Sequence, residues 1–123
     1  MRVGIVNDMQ TVTEVLRRIV VHDPRHTIAW TARDGEEAVR RCLQDTPDVV
    51  LMDLVMPKMS GAEATRQIMQ QAPCAILVVT SSVVANFRLV CEALGHGAYD
   101  SIEPPSLLGQ SLAQAGAPLL AKL

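Results

Sequence analysis

Two unbroken apolar runs, VVLM within residues 48–53 and AILVV within residues 75–80, constrain this chain more than any other feature. A half-buried strand alternates apolar and polar residues, whereas a strand apolar at every position must be covered on both faces. A central strand of a parallel sheet meets that condition. Shorter β-rich runs at 2–6 (RVGIV), 27–32 (TIAWTA) and 98–102 (AYDSI) alternate with helical patterns at 10–21, 36–45, 61–71 and 85–94. In the first helical pattern Val12, Val15, Leu16, Ile19 and Val20 share one face, and Asp23-Pro24 stops it. In the second, Ala38, Val39, Cys42 and Leu43 are expected to point inward. Gly95-His96-Gly97 ends the fourth. Alternation of this kind predicts an α/β fold: a parallel sheet with right-handed crossovers and helices on both faces.

Beyond Pro104-Pro105 the pattern weakens. Residues 1–105 are expected to form the domain, and 106–123 a linker and the start of a C-terminal helix opened by Pro118. That helix is expected to continue into a longer parent protein. A chain of 123 residues is enough for one such domain. Net charge is −2 and only Trp30, Phe87 and Tyr99 are aromatic, so neither the basic patch nor the stacking platforms of a nucleic-acid binder are present. No segment has the roughly 20 apolar residues of a membrane span, and Cys42, Cys74 and Cys91 form no CxxC pair. A cytoplasmic location with reduced thiols is expected.

Ligands of open parallel sheets bind at the carboxyl ends of the strands. The residues following each apolar run are Asn7 and Asp8, then Asp53, then Thr80 with Ser81 and Ser82, then Glu103-Pro104-Pro105. Two carboxylates, an amide and a hydroxyl thus converge on one edge. Paired carboxylates repel unless a cation stands between them, and Mg²⁺ suits carboxylate, carbonyl and phosphate oxygens together. A carboxylate can also act as a nucleophile and form an aspartyl-phosphate. On this reading Asp53 attacks, Asp8 holds the metal, and Thr80 bonds the phosphoryl group.

The segments NDM at 7–9, MDLVMPKMSG at 52–61 and VVTS at 78–81 resemble the receiver domains of two-component response regulators. The resemblance covers residues 1 to about 105. It implies a flavodoxin-like (βα)₅ fold, a doubly wound five-stranded parallel sheet of strand order 2-1-3-4-5. It makes Asp53 the phosphoacceptor, with a histidine kinase as phosphodonor. Asp8, Asp53 and the Val55 backbone carbonyl become the Mg²⁺ ligands, and Thr80 the switch hydroxyl. EATRQIM, APCAILVVTSS and GHGAYD are most similar to the receivers of CheB-type chemotaxis methylesterases. The VND start and the PLLAKL ending resemble their WspF-like branch. This implies that the chain is a regulatory domain and not itself an enzyme. The parent protein would carry a C-terminal serine-hydrolase effector, a protein-glutamate methylesterase, whose inhibition phosphorylation relieves.

Three positions depart from the family pattern. Asn7 stands where receivers carry a second acid one layer out from the metal, which predicts weaker Mg²⁺ binding. Pro104-Pro105 stands where a lysine and a proline are usual, so no lysine follows the fifth strand, and Lys58 after Asp53 reads as a solvated loop residue. Ser101 replaces an aromatic switch residue, and Tyr99 beside it is expected to pack in the core or at its edge. The aligned family peptide is cis, so Glu103-Pro104 or Pro104-Pro105 is a candidate cis bond. A pseudo-receiver that binds partners without phosphorylation is the alternative. A flavin-type ligand domain would need a glycine in NDMQTVTE, which has none. His22 and His26 flank Pro24 and read as a solvated loop, and Met56 and Met59 as loop packing.

Overall fold

A computed structural model describes residues 1–123. Five strands, β1 (Arg2–Val6), β2 (Thr27–Ala32), β3 (Val49–Met52), β4 (Ala75–Val79) and β5 (Asp100–Ile102), alternate with five helices. These are α1 (Gln10–His22), α2 (Gly35–Gln44), α3 (Gly61–Gln71), α4 (Phe87–Gly95) and α5 (Leu112–Lys122). The sheet order is β2-β1-β3-β4-β5, and every pair is parallel. This is the doubly wound, flavodoxin-like order 2-1-3-4-5 that the resemblance implied.

The two apolar runs sit centrally because each side chain finds a covered face. Successive residues of a strand point to opposite sides. Val50 and Met52 of β3 with Ile76 and Val78 of β4 join one core, and Val49 and Leu51 with Leu77 and Val79 join the other. The first core is closed by α2, α3 and α4 through Ala38, Cys42, Ala64, Ile68, Val90 and Ala93. The second is closed by α1 and α5 through Leu16, Ile19, Val20 and Leu119. A Cβ on Gly116 would come within 2.7 Å of the Ile19 side chain, so the α5 backbone lies directly on α1 there.

Several expectations are corrected. The last helix begins at Leu112, not at Pro118, which lies inside it. Ser111 accepts from the Gln114 amide, and the Gln114 side chain accepts from the Ser111 amide. This reciprocal cap, together with packing on α1, outweighs the hydrogen bond that Pro118 cannot make. All peptide bonds are trans, Glu103-Pro104 and Pro104-Pro105 included. Leu43 is exposed, because α2 turns only Ala38, Val39 and Cys42 into the core. His26 is buried, with its ring 3.7 Å from the Asp23 carboxylate, so it is not a solvated loop residue. Tyr99 is exposed, and its hydroxyl donates to the Lys122 carbonyl at the edge of the fold. No helix is long and apolar enough to cross a membrane.

Candidate functional site

The carboxyl ends of β1, β3, β4 and β5 surround a cavity of about 240 Å³. Asn7, Asp8, Asp53, Val55, Thr80 and Pro104 line it. The strand ladders carry on into these residues and fix their backbones. The Asp53 amide donates to Val6 O (2.9 Å), Asn7 to Ala32 O (3.0 Å) and Thr80 to Ile102 O (3.1 Å). The loop after Asp53 is held by the Gly61 amide, which donates to Leu54 O at 2.9 Å. Gly61 is required by close approach: a Cβ there would stand 1.8 Å from the Asp53 carbonyl oxygen. The start of α3 therefore rests directly on the backbone of the candidate acceptor, and Ser60 caps that helix by accepting from the Glu63 amide.

Asp53 is half-buried, and burial is the main cause that pushes its carboxyl up to about 6. The Leu54 amide, which donates to Oδ1 at 2.8 Å, works against that shift, and the neighbouring Asp8 carboxylate adds to it. A carboxyl destabilised by burial and by a like charge is suited to a hard cation. No group of three or more His, Cys, Asp or Glu side chains is arranged to hold a metal ion. A cation here would be held by the two carboxylates, with the Val55 carbonyl and water as neutral oxygen donors. That set fits Mg²⁺, which keeps several waters and binds to one or two carboxylates. Asn7 is buried, and its Oδ1 accepts from the Met9 amide at 2.9 Å. It shapes the loop that carries Asp8 without adding charge.

The structure brings together Asn7, Asp8, Asp53, Val55 and Thr80 with Ser81 and Pro104, while Ser82, Glu103 and Pro105 do not line the cavity. It leaves Lys58 out. Lys58 has a positive φ of 68° and its amine lies 3.7 Å from Asp34, away from the cavity. No lysine or arginine lines the cavity, and Pro104 forms its β5 side. Met56 and Met59 pack against the first core, as expected of loop packing. Asn86 escaped the sequence reading: its Nδ2 donates to Thr80 Oγ1 at 2.9 Å. The available signal was an asparagine at the start of a helical pattern six residues after a site hydroxyl.

Comparison with known proteins agrees with the fold. The response regulator receiver domain model matches residues 3–113. A protein-glutamate methylesterase/protein-glutamine glutaminase of Bordetella avium is 59% identical over 107 residues, 87% of this chain and 31% of that protein. One from Pseudomonas aeruginosa is 52% identical over 100% of this chain and 37% of its own length. The chain thus spans about a third of the curated relatives that it matches. Among solved structures, the response regulator domain of Thermotoga maritima CheB superposes with a TM-score of 0.88 at 35% identity, covering 99% of this chain and 92% of that one.

Proposed function

This chain belongs to the response regulator receiver domain family, and from that premise we propose that it accepts a phosphoryl group on Asp53 from a histidine kinase. The observation that carries the proposal is the meeting of Asp53, Asp8 and Thr80 in one cavity at the strand ends. In the transfer, an Asp53 carboxylate oxygen attacks phosphorus, the bond from phosphorus to the donor imidazole nitrogen breaks, and that nitrogen keeps the electron pair. Asp8, Asp53 and the Val55 carbonyl would hold Mg²⁺, which when bound offsets negative charge on the phosphoryl oxygens. The Thr80 hydroxyl donates to one of those oxygens. The Leu54 amide on Oδ1 fixes the carboxylate, leaving the other oxygen to react.

The resulting change would be read by a C-terminal protein-glutamate methylesterase domain in a longer, cytoplasmic parent protein. The relatives' names and the one-third coverage support that assignment. The exposed Val84, Phe87 and Tyr99 on the α4–β5 side offer a surface for the contact.

The test is intact mass after incubation with acetyl phosphate, with and without Mg²⁺, on wild type and Asp53→Asn. A single Mg²⁺-dependent phosphoryl adduct, absent from the variant, is expected. No adduct under rapid cold quench would overturn the proposal and favour a receiver that binds partners without phosphorylation.

A further inference from the structure

One side chain outside the cavity holds a group inside it. Thr80 is 1% exposed and lines the site, whereas Asn86 does not reach the cavity. Asn86 approaches from the α4 side, and its amide nitrogen donates to Thr80 Oγ1 at 2.9 Å. A hydroxyl that accepts in this way keeps its own proton free to donate elsewhere.

The same asparagine has a second possible use that it forgoes. Asn86 is the N-cap residue of α4, and asparagine is among the best side chains for that position. Yet its side chain makes no capping bond. The contrast with α2, α3 and α5 is direct: Asp34, Ser60 and Ser111 each accept from the amide three residues on. In α4 the corresponding amides are those of Arg88 and Leu89. Neither donates to a backbone acceptor, whereas Val90, one residue later, donates to Asn86 O at 2.9 Å. Orphan amides in the first turn are what a side-chain cap satisfies.

We propose that Asn86 is a positioning residue shared between two sites: it holds the Thr80 hydroxyl in the unmodified protein, and it caps α4 when Thr80 turns to another acceptor. A phosphoryl group on Asp53 would draw the Thr80 oxygen into the cavity and away from the Asn86 amide. Release frees the Asn86 carboxamide to rotate, and its Oδ1 then accepts from Arg88 or Leu89. Occupancy of the acceptor site is thereby converted into order at the start of α4, beside the exposed Phe87. This does not depend on an aromatic residue at position 101, where the chain has Ser101. The release step rests on phosphorylation of Asp53; the sharing of Asn86 does not, and it can be tested in the unmodified protein.

The experiment is residue-resolved amide hydrogen exchange at Arg88 and Leu89 in wild type, Thr80→Val, Thr80→Ser, Asn86→Ala and the Thr80→Val/Asn86→Ala double variant. Thr80→Val removes the hydroxyl at constant shape and should slow exchange at one or both amides by about fivefold, the size of a typical cap. Thr80→Ser keeps the hydroxyl and should match wild type. The double variant should lose the gain. Thr80→Ala replaces Thr80→Val if the latter fails to fold. Unchanged exchange in Thr80→Val, or equal slowing in the double variant, would overturn the proposal. Acetyl phosphate with Mg²⁺ then separates the two ideas. An adduct without slowing at these amides rejects release while phosphorylation stands. Absence of any adduct rejects phosphorylation, and the Thr80→Val comparison still decides the role of Asn86.

Discussion

The site has two unlike halves. The ends of β1, β3 and β4 are built on buried strands and carry Asp8, Asp53 and Thr80. The end of β5 carries Ser101 and Pro104 where the family pattern has an aromatic residue and a lysine. The structural difference between the halves matches the chemical one. All four residues of β3 are buried, whereas β5 is three residues long and none of them is fully buried. A backbone locked into the core on both faces fixes the side chain that follows it. An edge strand of three half-buried residues tolerates replacement, because little packing depends on it. On the proposed function, chemistry that needs fixed geometry would sit at the inner strands, and the edge carries Pro104 where the family pattern has a lysine.

The largest expected break falls on the central half. Gly61→Ala would place a methyl 1.8 Å from the Asp53 carbonyl oxygen, a clash with backbone that no rotamer relieves. It should cost about 3 kcal/mol or more in denaturant unfolding, at the upper end of overpacking. Loss under about 1 kcal/mol would mean that the loop can move away from Asp53, and that the central half is less fixed than proposed.

Asp53→Asn acts in the opposite direction and depends on pH. The folded carboxyl titrates at about 6, above the ordinary value near 4, so its stabilising contribution is complete below about pH 4 and is lost as pH rises through 6. In Mg²⁺-free buffer, Asp53→Asn should be more stable than wild type by about 1–3 kcal/mol at pH 8 and by little at pH 4. A stability difference that does not change between these pH values would contradict a strained acceptor carboxylate. Asn7→Asp adds a charge to the same half and should tighten Mg²⁺ binding by about tenfold, measured by calorimetry. Equal affinity would show that Asn7 matters only as the acceptor for the Met9 amide.

Legibility in the sequence follows the same division. The central strands were readable because continuous apolar runs have one good destination, and Asp8, Asp53 and Thr80 follow from where those runs stop. The α5 start lies upstream of Pro118, the helix-opening residue that the sequence suggests; Ser111 and Gln114 carry capping-box spacing, a signal that the proline reading leaves unused. His26 folds its ring back toward Asp23 three residues earlier and meets the Met1 amino group at 3.4 Å, a long-range contact that periodicity does not encode. The trans Pro104-Pro105 peptide departs from the family resemblance, and local composition favours neither isomer strongly. Asn86 is hidden for a different reason: asparagine at the start of a helical pattern suits a cap, and nothing in the sequence turns its amide to Thr80.

The edge half should respond more weakly. Pro104→Lys would return an amine to the β5 side of the cavity, and phosphoryl occupancy at fixed acetyl phosphate should rise about threefold to tenfold, the worth of one charge-assisted hydrogen bond less the ordering of a long side chain. No rise, in a variant that folds normally, would indicate that Thr80 and Mg²⁺ already meet the charge demand and that the lysine is dispensable on this scaffold.

Tyr99→Phe is the smallest change and the most direct measure of edge tolerance. The Tyr99 ring is exposed, and its hydroxyl donates to the Lys122 carbonyl at the end of α5 at 2.8 Å. Removing the hydroxyl leaves a carbonyl that water can satisfy, because nothing there is buried away from solvent. The expected loss is about 0.5 kcal/mol or less by denaturant unfolding. The Lys122 ammonium also pairs with Asp100 on β5, so α5 keeps a second tie to the strand in the variant. A loss above about 1.5 kcal/mol would show that the β5–α5 edge is held cooperatively. In that event the tolerance of this half would have to come from the loop at Pro104-Pro105 alone, and not from the strand that precedes it.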